Sequence, residues 1–195
     1  MRKIIVMMSV SLDGFIAGPN REIDWHQVDA ELHAHFNEQL AGMGMFLDGR
    51  LTYELMVEFW PTADQDPAAT KEVADFARIW RDMPKIVYSR TLERAAWNTT
   101  VVREVVVQDI LRLKEQPGGD LALGGAGLAA TFQRHDLIDE YRLYVNPIAI
   151  GGGIPLFPAG SQTRLQLTST RTFGTGVVEL RYQRAGSPAP AAHTA

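Results

Sequence analysis

The chain alternates short apolar runs with amphipathic stretches, a pattern that predicts strands and helices in turn. Residues 2–10, rich in Ile, Val and Met, predict a buried first strand. Residues 28–40 predict a helix, because apolar side chains recur at every fourth position from Val28 to Leu40. The further predicted strands are residues 43–48, 85–88, 101–107, 120–123 and 138–150, the further predicted helices are 50–59, 71–80, 108–116 and 127–134, and 15–25 and 61–70 are predicted loops. This alternation predicts a mostly parallel sheet with helices on both faces.

The C-terminal part departs from strict alternation. Residues 163–171 and 177–184 predict two strands joined by a Gly-containing turn, which is typical of an antiparallel hairpin. The sheet is therefore expected to be mixed, with antiparallel strands at one edge. Residues 186–195 are small and Pro-rich and predict a disordered tail. Without a repeat or a linker in the sequence, residues 1–185 are expected to form a single domain.

Composition and charge exclude several classes of protein. The 195 residues carry a net charge of −4, which argues against a nucleic-acid or anionic-membrane partner. The chain contains no cysteine, so disulfides, thiolate metal sites and cysteine nucleophiles are excluded. The apolar start is broken at Asp13 and Gly14, too early for a secretory signal, and no stretch approaches the roughly 20 residues of a membrane span. We expect a cytoplasmic protein, with no metal held by His33 and His35, which do not share a helix face.

Three predicted strands end at glycine or at a small polar residue, the position where open α/β sheets bind ligands. Residues 49–52 (GRLT) combine close backbone approach with a guanidinium and a hydroxyl that suit a phosphate. Ser89 and Arg90 directly follow a strand and suit a 2′-phosphate, which would indicate NADPH rather than NADH. Residues 124–128 (GGAGL) follow a strand and open a helix, the geometry for a pyrophosphate at a helix N-terminus. Each turn alone also fits an ordinary polar turn or helix start, but together they favour a dinucleotide.

Five segments along nearly the whole chain carry a recognisable order of motifs. They are SLDGFIAGPN at 11–20, GRLTYE at 49–54, K-x-V-x-SRTL at 85–92, LALGGAGL at 121–128 and LIDEYRLYVNPIAIGGGIPLF at 137–157, with Trp25 after the loop that follows the first of them. In this order the chain resembles the bacterial dihydrofolate reductase-like family, related to the C-terminal reductase domain of the riboflavin biosynthesis deaminase-reductase. The resemblance implies a three-layer αβα fold with a mixed, mostly parallel central sheet, NADPH as cofactor and a homodimer.

The resemblance also implies the residues that hold the cofactor. Relatives can hold the paired glycines with a cis peptide, so a cis bond is expected between Gly124 and Gly125. The candidate cofactor-binding residues are Ala17, Gly49, Arg50, Leu51, Thr52, Ser89, Arg90, Gly124, Gly125, Ala126, Gly127 and Leu128.

Two carboxylates are candidate catalytic residues. Asp13 follows the first strand in the loop expected over the nicotinamide, where it would orient substrate or relay a proton; a turn-forming role before glycine fits equally well. In dihydrofolate reductases a carboxylate early in the first helix holds the pteridine ring, and Asp29 and Glu31 compete for that place. Asp29 shares the apolar face of the predicted helix, which favours it over Glu31, although it also suits a helix N-cap.

The function implied is hydride transfer from NADPH to a C=N or C=O carbon of a small pteridine-like or aminopyrimidine substrate. Reduction of a riboflavin intermediate of the 5-amino-6-(5-phosphoribosylamino)uracil type is the first expectation. Dihydrofolate reduction proper is the alternative within the same class. A non-catalytic nucleotide-binding module of the same fold is the alternative from a different class.

Overall fold

A computed structural model describes residues 1–185, so the predicted disordered tail at 186–195 lies outside the described residues. The strands are β1 (Ile4–Ser11), β2 (Phe15–Ala17), β3 (Met43–Gly49), β4 (Lys85–Tyr88), β5 (Thr99–Val102), β6 (Asp120–Gly124), β7 (Glu140–Asn146), β8 (Ile154–Pro155), β9 (Leu165–Thr172) and β10 (Val178–Arg184). The helices are α1 (Ala30–Ala41), α2 (Arg50–Phe59), α3 (Lys71–Asp82), α4 (Val107–Glu115) and α5 (Ala126–Arg134). Within the described range, no helix combines the length and the apolar character that crossing a bilayer requires.

Eight strands form the main sheet in the order β5-β4-β3-β6-β1-β7-β10-β9. The neighbours from β5 to β7 pair in parallel, whereas β10 pairs antiparallel with both β7 and β9. The predicted mixed sheet with an antiparallel C-terminal hairpin is therefore confirmed. Strands β2 and β8 form a separate small antiparallel ladder.

Alternating side chains of the strands bury two apolar layers, one on each face of the sheet. Ile4 and Ile5 are both fully buried and belong to different clusters. The cluster around Ile4 includes side chains of α4 and α5, and the cluster around Ile5 includes side chains of α1, α2 and α3. This arrangement confirms the three-layer αβα fold, and it places the starts of α2 and α5 at the same sheet edge on opposite faces.

Several predicted boundaries are wrong, each for a local reason. Helix α1 begins at Ala30, because the side chain of Asp29 accepts a hydrogen bond from the N–H of Leu32 and caps the helix there. Val28 is consequently outside the helix and 47% exposed. Residues 60–65 form a short 3₁₀ helix where a loop was predicted.

Two predicted strands are shorter in the structure, and one predicted loop contains a strand. The strand predicted at 101–107 is Thr99–Val102, because helix α4 already begins at Val107. The long strand predicted at 138–150 ends at Asn146, beyond which Pro147 lacks the N–H that continued pairing requires. The short strand β2 occupies part of the loop predicted at 15–25.

Candidate functional site

The three segments predicted to bind the cofactor, 49–52, 89–90 and 124–128, lie along one edge of the main sheet. Strands β4, β3 and β6 are consecutive and parallel, and their registers pair Gly49 with Tyr88 and Asp48 with Gly124. The segments that follow these strands, which begin at Arg50, Ser89 and Gly125, therefore leave the sheet side by side. The carboxyl ends of neighbouring parallel strands are the place where open α/β sheets bind nucleotides.

Two helix N-termini at this edge have backbone N–H groups that no cap side chain accepts. Helices α2 and α5 begin directly after β3 and β6, at the N-cap residues Gly49 and Gly125, which have no side chain that could cap. By contrast, helices α1 and α3 are capped by the side chains of Asp29 and Thr70, which accept from the N–H groups of Leu32 and Val73. The open N–H groups and the positive end of the helix dipole make the edge a site for an anion.

The paired glycines of this edge are required by close contacts. Gly125 has φ +88°, and a Cβ there would lie 2.6 Å from Thr52 Oγ1. A Cβ at Gly124 would lie 2.5 Å from Asp48 Oδ1. Glycine at both positions thus lets the first turn of α5 approach the first turn of α2. The Gly124–Gly125 peptide is trans, so the cis bond expected from the resemblance is wrong.

The other predicted cofactor residues surround this pair of glycines. Leu51 is 45% exposed on the first turn of α2. Leu128 is buried beside Gly49, where an added Cβ would lie 3.9 Å from the Cβ of Leu128. Arg50 is half-buried, and its guanidinium donates to both carboxylate oxygens of Glu54 at 2.9 Å. The Glu54 carboxylate therefore holds the guanidinium at the edge of the sheet, and a phosphate can take the place of that carboxylate.

The turn after β4 is ordered by its own serine. Ser89 Oγ accepts hydrogen bonds from the N–H groups of Thr91 at 3.2 Å and Leu92 at 2.9 Å. A serine hydroxyl that accepts two bonds keeps its proton free to donate. Arg90 is exposed, and it forms no ion pair with another residue of the 1–185 range.

Asp13 joins two loops on the other side of β1. Its Oδ1 accepts from the Ser11 hydroxyl, and its two oxygens accept from the N–H groups of Ile150 and Gly151 at 3.2 and 2.8 Å. These bonds lower the pKa of the carboxyl, the hydrogen bond from Ser11 most strongly. Asp13 is therefore an ionised tether of the glycine-rich loop after β7, and this geometry fits the turn-forming alternative.

Ala17 lies where the loop after β1 packs against the loop after β7. It is buried at the end of β2 and pairs with Ile154 of β8. Its carbonyl oxygen packs so closely on Gly153 that a Cβ at residue 153 would overlap it. The two short strands thus bring the loop after β1 against the loop after β7.

The two carboxylates considered for the first helix lie together against the C-terminal hairpin. Asp29 Oδ1 caps the helix, whereas its Oδ2 accepts no hydrogen bond from another described residue. Glu31 accepts from the Arg171 guanidinium at 3.2 Å and from the N–H of Gly174 at 3.4 Å. Of the two, Asp29 retains the free oxygen, while Glu31 connects the helix to the hairpin.

Asp48 is a buried carboxylate beside Gly124 that the sequence prediction missed. It lies at the end of β3, is only 5% exposed, and forms no side-chain hydrogen bond within residues 1–185. Burial raises the pKa of its carboxyl to about 7, although the positive charge of Lys85 acts in the opposite direction. The sequence feature that could have identified Asp48 is its position as the single carboxylate of the apolar run 43–48, directly before Gly49.

The Asp48→Asn variant should change the pH dependence of stability. Because the folded state holds the Asp48 proton more strongly than the unfolded state does, wild-type stability falls as pH rises from about 4 to about 7. The variant lacks this loss, so its stability relative to wild type should improve by about 2–3 kcal/mol between pH 5 and pH 8. Urea unfolding of both proteins at both pH values measures the difference.

The histidines do not obscure that comparison, and Lys85 acts in the same direction. Burial lowers the pKa of Lys85 to about 8 and the Asp48 charge raises it, so the substitution lowers it further and adds to the relative stability of the variant at pH 8. Burial lowers the pKa values of His26, His33 and His35, so their effect is a loss of stability as pH falls below about 6.5. That effect is common to wild type and Asp48→Asn and cancels in the difference. Parallel stability curves for the two proteins would show that Asp48 titrates normally.

Comparisons with known proteins agree with this architecture. The uncharacterized protein YyaP of Bacillus subtilis (strain 168) is 34% identical over 183 residues, 93% of this chain and 94% of the relative. A provisionally assigned riboflavin biosynthesis protein of Shewanella sp. PV-4 has a similar structure, with a TM-score of 0.71 at 23% identity, covering 93% of this chain and 98% of that one. Dihydrofolate reductase from Enterococcus faecalis, complexed with NADP(H) and RAB-propyl, gives 0.62 at 14% identity, covering 94% and 96%. These two structures show the shared fold.

The family is shown by a match over most of the sequence. Residues 2–179 match the RibD C-terminal domain. The deaminase/5-amino-6-(5-phosphoribosylamino)uracil reductase of Thermotoga maritima also shares the fold, with a TM-score of 0.64 at 15% identity, covering 94% of this chain and 57% of that one. The chain therefore belongs to the RibD C-terminal domain family, a family of reductases.

Proposed function

We propose that this reductase uses NADPH and transfers hydride to a C=N or C=O carbon of a small heterocyclic substrate. The observation that carries the proposal is the shared edge of β4, β3 and β6, where two helices with uncapped N-termini begin beside the turn at Ser89 and Arg90. The paired glycines Gly124 and Gly125 and the open N–H groups at the two helix starts fit a diphosphate. NADPH, when bound, supplies the hydride.

The chain's own residues have separate tasks in this proposal. The N–H groups at the starts of α2 and α5 bind the diphosphate, and Arg50 adds a cation beside them. The hydroxyl of Ser89 and the guanidinium of Arg90 bind the 2′-phosphate. Asp13 fixes the loop at Ile150 and Gly151, which borders the substrate side.

An aminopyrimidine of the riboflavin type is the first substrate candidate, because the chain belongs to the RibD C-terminal domain family. A specific observation favours a pteridine as the second candidate. Asp29 keeps Oδ2 free beside the hairpin, where it can accept hydrogen bonds from adjacent ring and amino N–H groups. Arg171, a nearby cation, is already bound to Glu31 and lies 4.7 Å over the ring of Phe173, so it is poorly placed for a substrate phosphate.

The proposal is tested by two measurements on the wild-type protein. Fluorescence titration should give saturable NADPH binding at least about tenfold tighter than NADH binding, the effect of one charge-assisted contact. NADPH oxidation should then follow addition of the aminopyrimidine or of dihydrofolate. Tight NADPH binding without turnover of any candidate would favour the non-catalytic module, and equal weak binding of both nucleotides would remove the 2′-phosphate assignment.

Arg50→Ala should weaken NADPH binding by about 1–3 kcal/mol, the usual value of a hydrogen bond to a charged group. Isothermal titration calorimetry of both proteins measures this change. Arg78→Ala is a matched control, because Arg78 is likewise an arginine paired with a carboxylate on its own helix, Asp75 at 3.1 Å. An unchanged NADPH affinity in Arg50→Ala would remove Arg50 from the site.

The remaining expectations about partners and location stay predictions. A homodimer and a cytoplasmic location are implied by the resemblance and the sequence, and neither nucleic acid nor a membrane is expected as a partner. Sedimentation of the purified chain at several concentrations distinguishes a homodimer from a monomer.

A further inference from the structure

The segment between β4 and β5, residues 89–98, has no regular secondary structure but is held by side chains from three elements. Tyr53 of α2 binds both the N–H and the carbonyl of Ala96, at 2.9 and 3.2 Å. Lys85 Nζ donates to the carbonyl of Trp97 at 2.9 Å. Arg103, just after β5, binds the opposite end of the segment. The segment is thus fixed before any ligand binds.

Arg103 makes an unusual set of contacts. One nitrogen, Nη1, lies 3.4, 2.9 and 3.0 Å from the carbonyl oxygens of Ser89, Arg90 and Leu92. Three carbonyls of one turn therefore point towards a single guanidinium.

The charge of Arg103 is not neutralised by a carboxylate. Within residues 1–185 it forms no ion pair, and the same holds for Arg90 and Arg94 of the segment it binds. By contrast, Arg81 and Arg181 each bind a carboxylate within 3 Å. The turn after β4 therefore combines arginines that form no ion pair with carbonyl groups that already accept hydrogen bonds from Arg103.

We propose that Arg103 is a positioning residue for the 2′-phosphate of the cofactor, holding the turn 89–92 so that Ser89 and Arg90 meet the phosphate together. This inference rests on the proposed use of NADPH. Arg103 acts through the backbone, because its Nη1 engages the carbonyl oxygens of three residues of the turn. Ser89 Oγ fixes the same turn from within, by accepting from Thr91 and Leu92.

The test compares ligands that differ only by the phosphate in question. Kd values for 2′,5′-ADP and 5′-AMP, and for NADPH and NADH, are measured for wild type, Arg103→Met and Arg103→Lys. Met keeps the apolar stem without donors, and Lys keeps the charge, but its Nζ ends one bond short of the position that Nη1 occupies. We expect both variants to lose about tenfold or more for the 2′-phosphorylated ligands and less than about twofold for the others.

Each other outcome has a defined meaning. Equal losses for phosphorylated and unphosphorylated ligands would show a general structural role and overturn the inference. Wild-type discrimination in Arg103→Lys together with its loss in Arg103→Met would show that charge alone is needed, which also overturns the positioning role. A wild-type protein that binds neither NADPH nor NADH refutes the proposed function and the inference with it, whereas unchanged discrimination in both variants refutes the inference alone.

A matched variant and a structural readout accompany the binding data. Arg112→Met removes an exposed arginine of α4 that pairs with Asp109, and it should leave all four affinities unchanged. Hydrogen exchange of the Thr91 and Leu92 amides should accelerate in Arg103→Met and Arg103→Lys, because the turn that protects them loses its outer support. Unchanged protection of these amides would contradict the proposed mechanism.

Discussion

Gly125→Ala is expected to weaken NADPH binding at least about tenfold and to lower the free energy of unfolding by about 1–2 kcal/mol. The residue has φ +88°, a conformation that disfavours any side chain with a Cβ. Its new methyl group would also press on Thr52 Oγ1, which forces the starts of α5 and α2 apart. NADPH titration and urea unfolding measure the two effects.

Two further variants separate the causes of that loss. Gly127→Ala, two positions later, meets nothing within 4 Å and should match or exceed wild-type stability, since alanine favours the helix. Thr52→Ala combined with Gly125→Ala removes the close contact but keeps the unfavourable φ, so it should restore only part of the stability. Wild-type NADPH affinity in a folded Gly125→Ala protein would show that this turn does not hold the cofactor.

Gly153→Ala should be the most destabilising of the glycine substitutions considered, by about 3 kcal/mol or more. Residue 153 has φ +146°, and its Cβ would overlap the carbonyl oxygen of Ala17, a backbone group that cannot move aside alone. Relief requires separating β2 from β8, which opens the two loops on the substrate side. Thermal unfolding measures the stability loss, and NADPH oxidation should fall in parallel.

Gly152→Ala provides the control within the same glycine run. A Cβ at Gly152 meets no atom within 4 Å, so this substitution should stay within about 0.5 kcal/mol of wild type, as exposed substitutions do. Equal stability of Gly152→Ala and Gly153→Ala would contradict the close packing of residue 153 on Ala17.

The sequence predicted much of the fold because burial and periodicity are local signals. The apolar runs of β1 and β3 specify buried strands, and the four-residue spacing in α1 specifies the buried positions Leu32 and Leu40; the structure confirms these, whereas Val28 at the start of that spacing is exposed. The convergence of the segments at Gly49, Ser89 and Gly125 could be expected as well, because parallel strands end at the same edge. The roles assigned to these residues stay predictions that binding experiments must test.

What the sequence did not predict depends on contacts between distant residues. Asp48 becomes a titrating group near neutral pH only because β4, β6 and α2 bury it, and nothing in the run 43–48 specifies that burial. Arg103 reaches three carbonyls because β5 pairs beside β4. Asn146 likewise connects the loop before α1 to β7, by accepting from the N–H of Gln27 at 2.9 Å. Such long-range partners leave no periodic trace in the sequence.

The central claim is that one sheet edge, at the ends of β4, β3 and β6, binds NADPH. A crystal structure of the complex tests it most directly. We predict the diphosphate within hydrogen-bonding distance of the N–H groups at the starts of α2 and α5, with the 2′-phosphate at Ser89 and Arg90. A nucleotide bound elsewhere on the protein, or a diphosphate that contacts neither helix start, would contradict the claim.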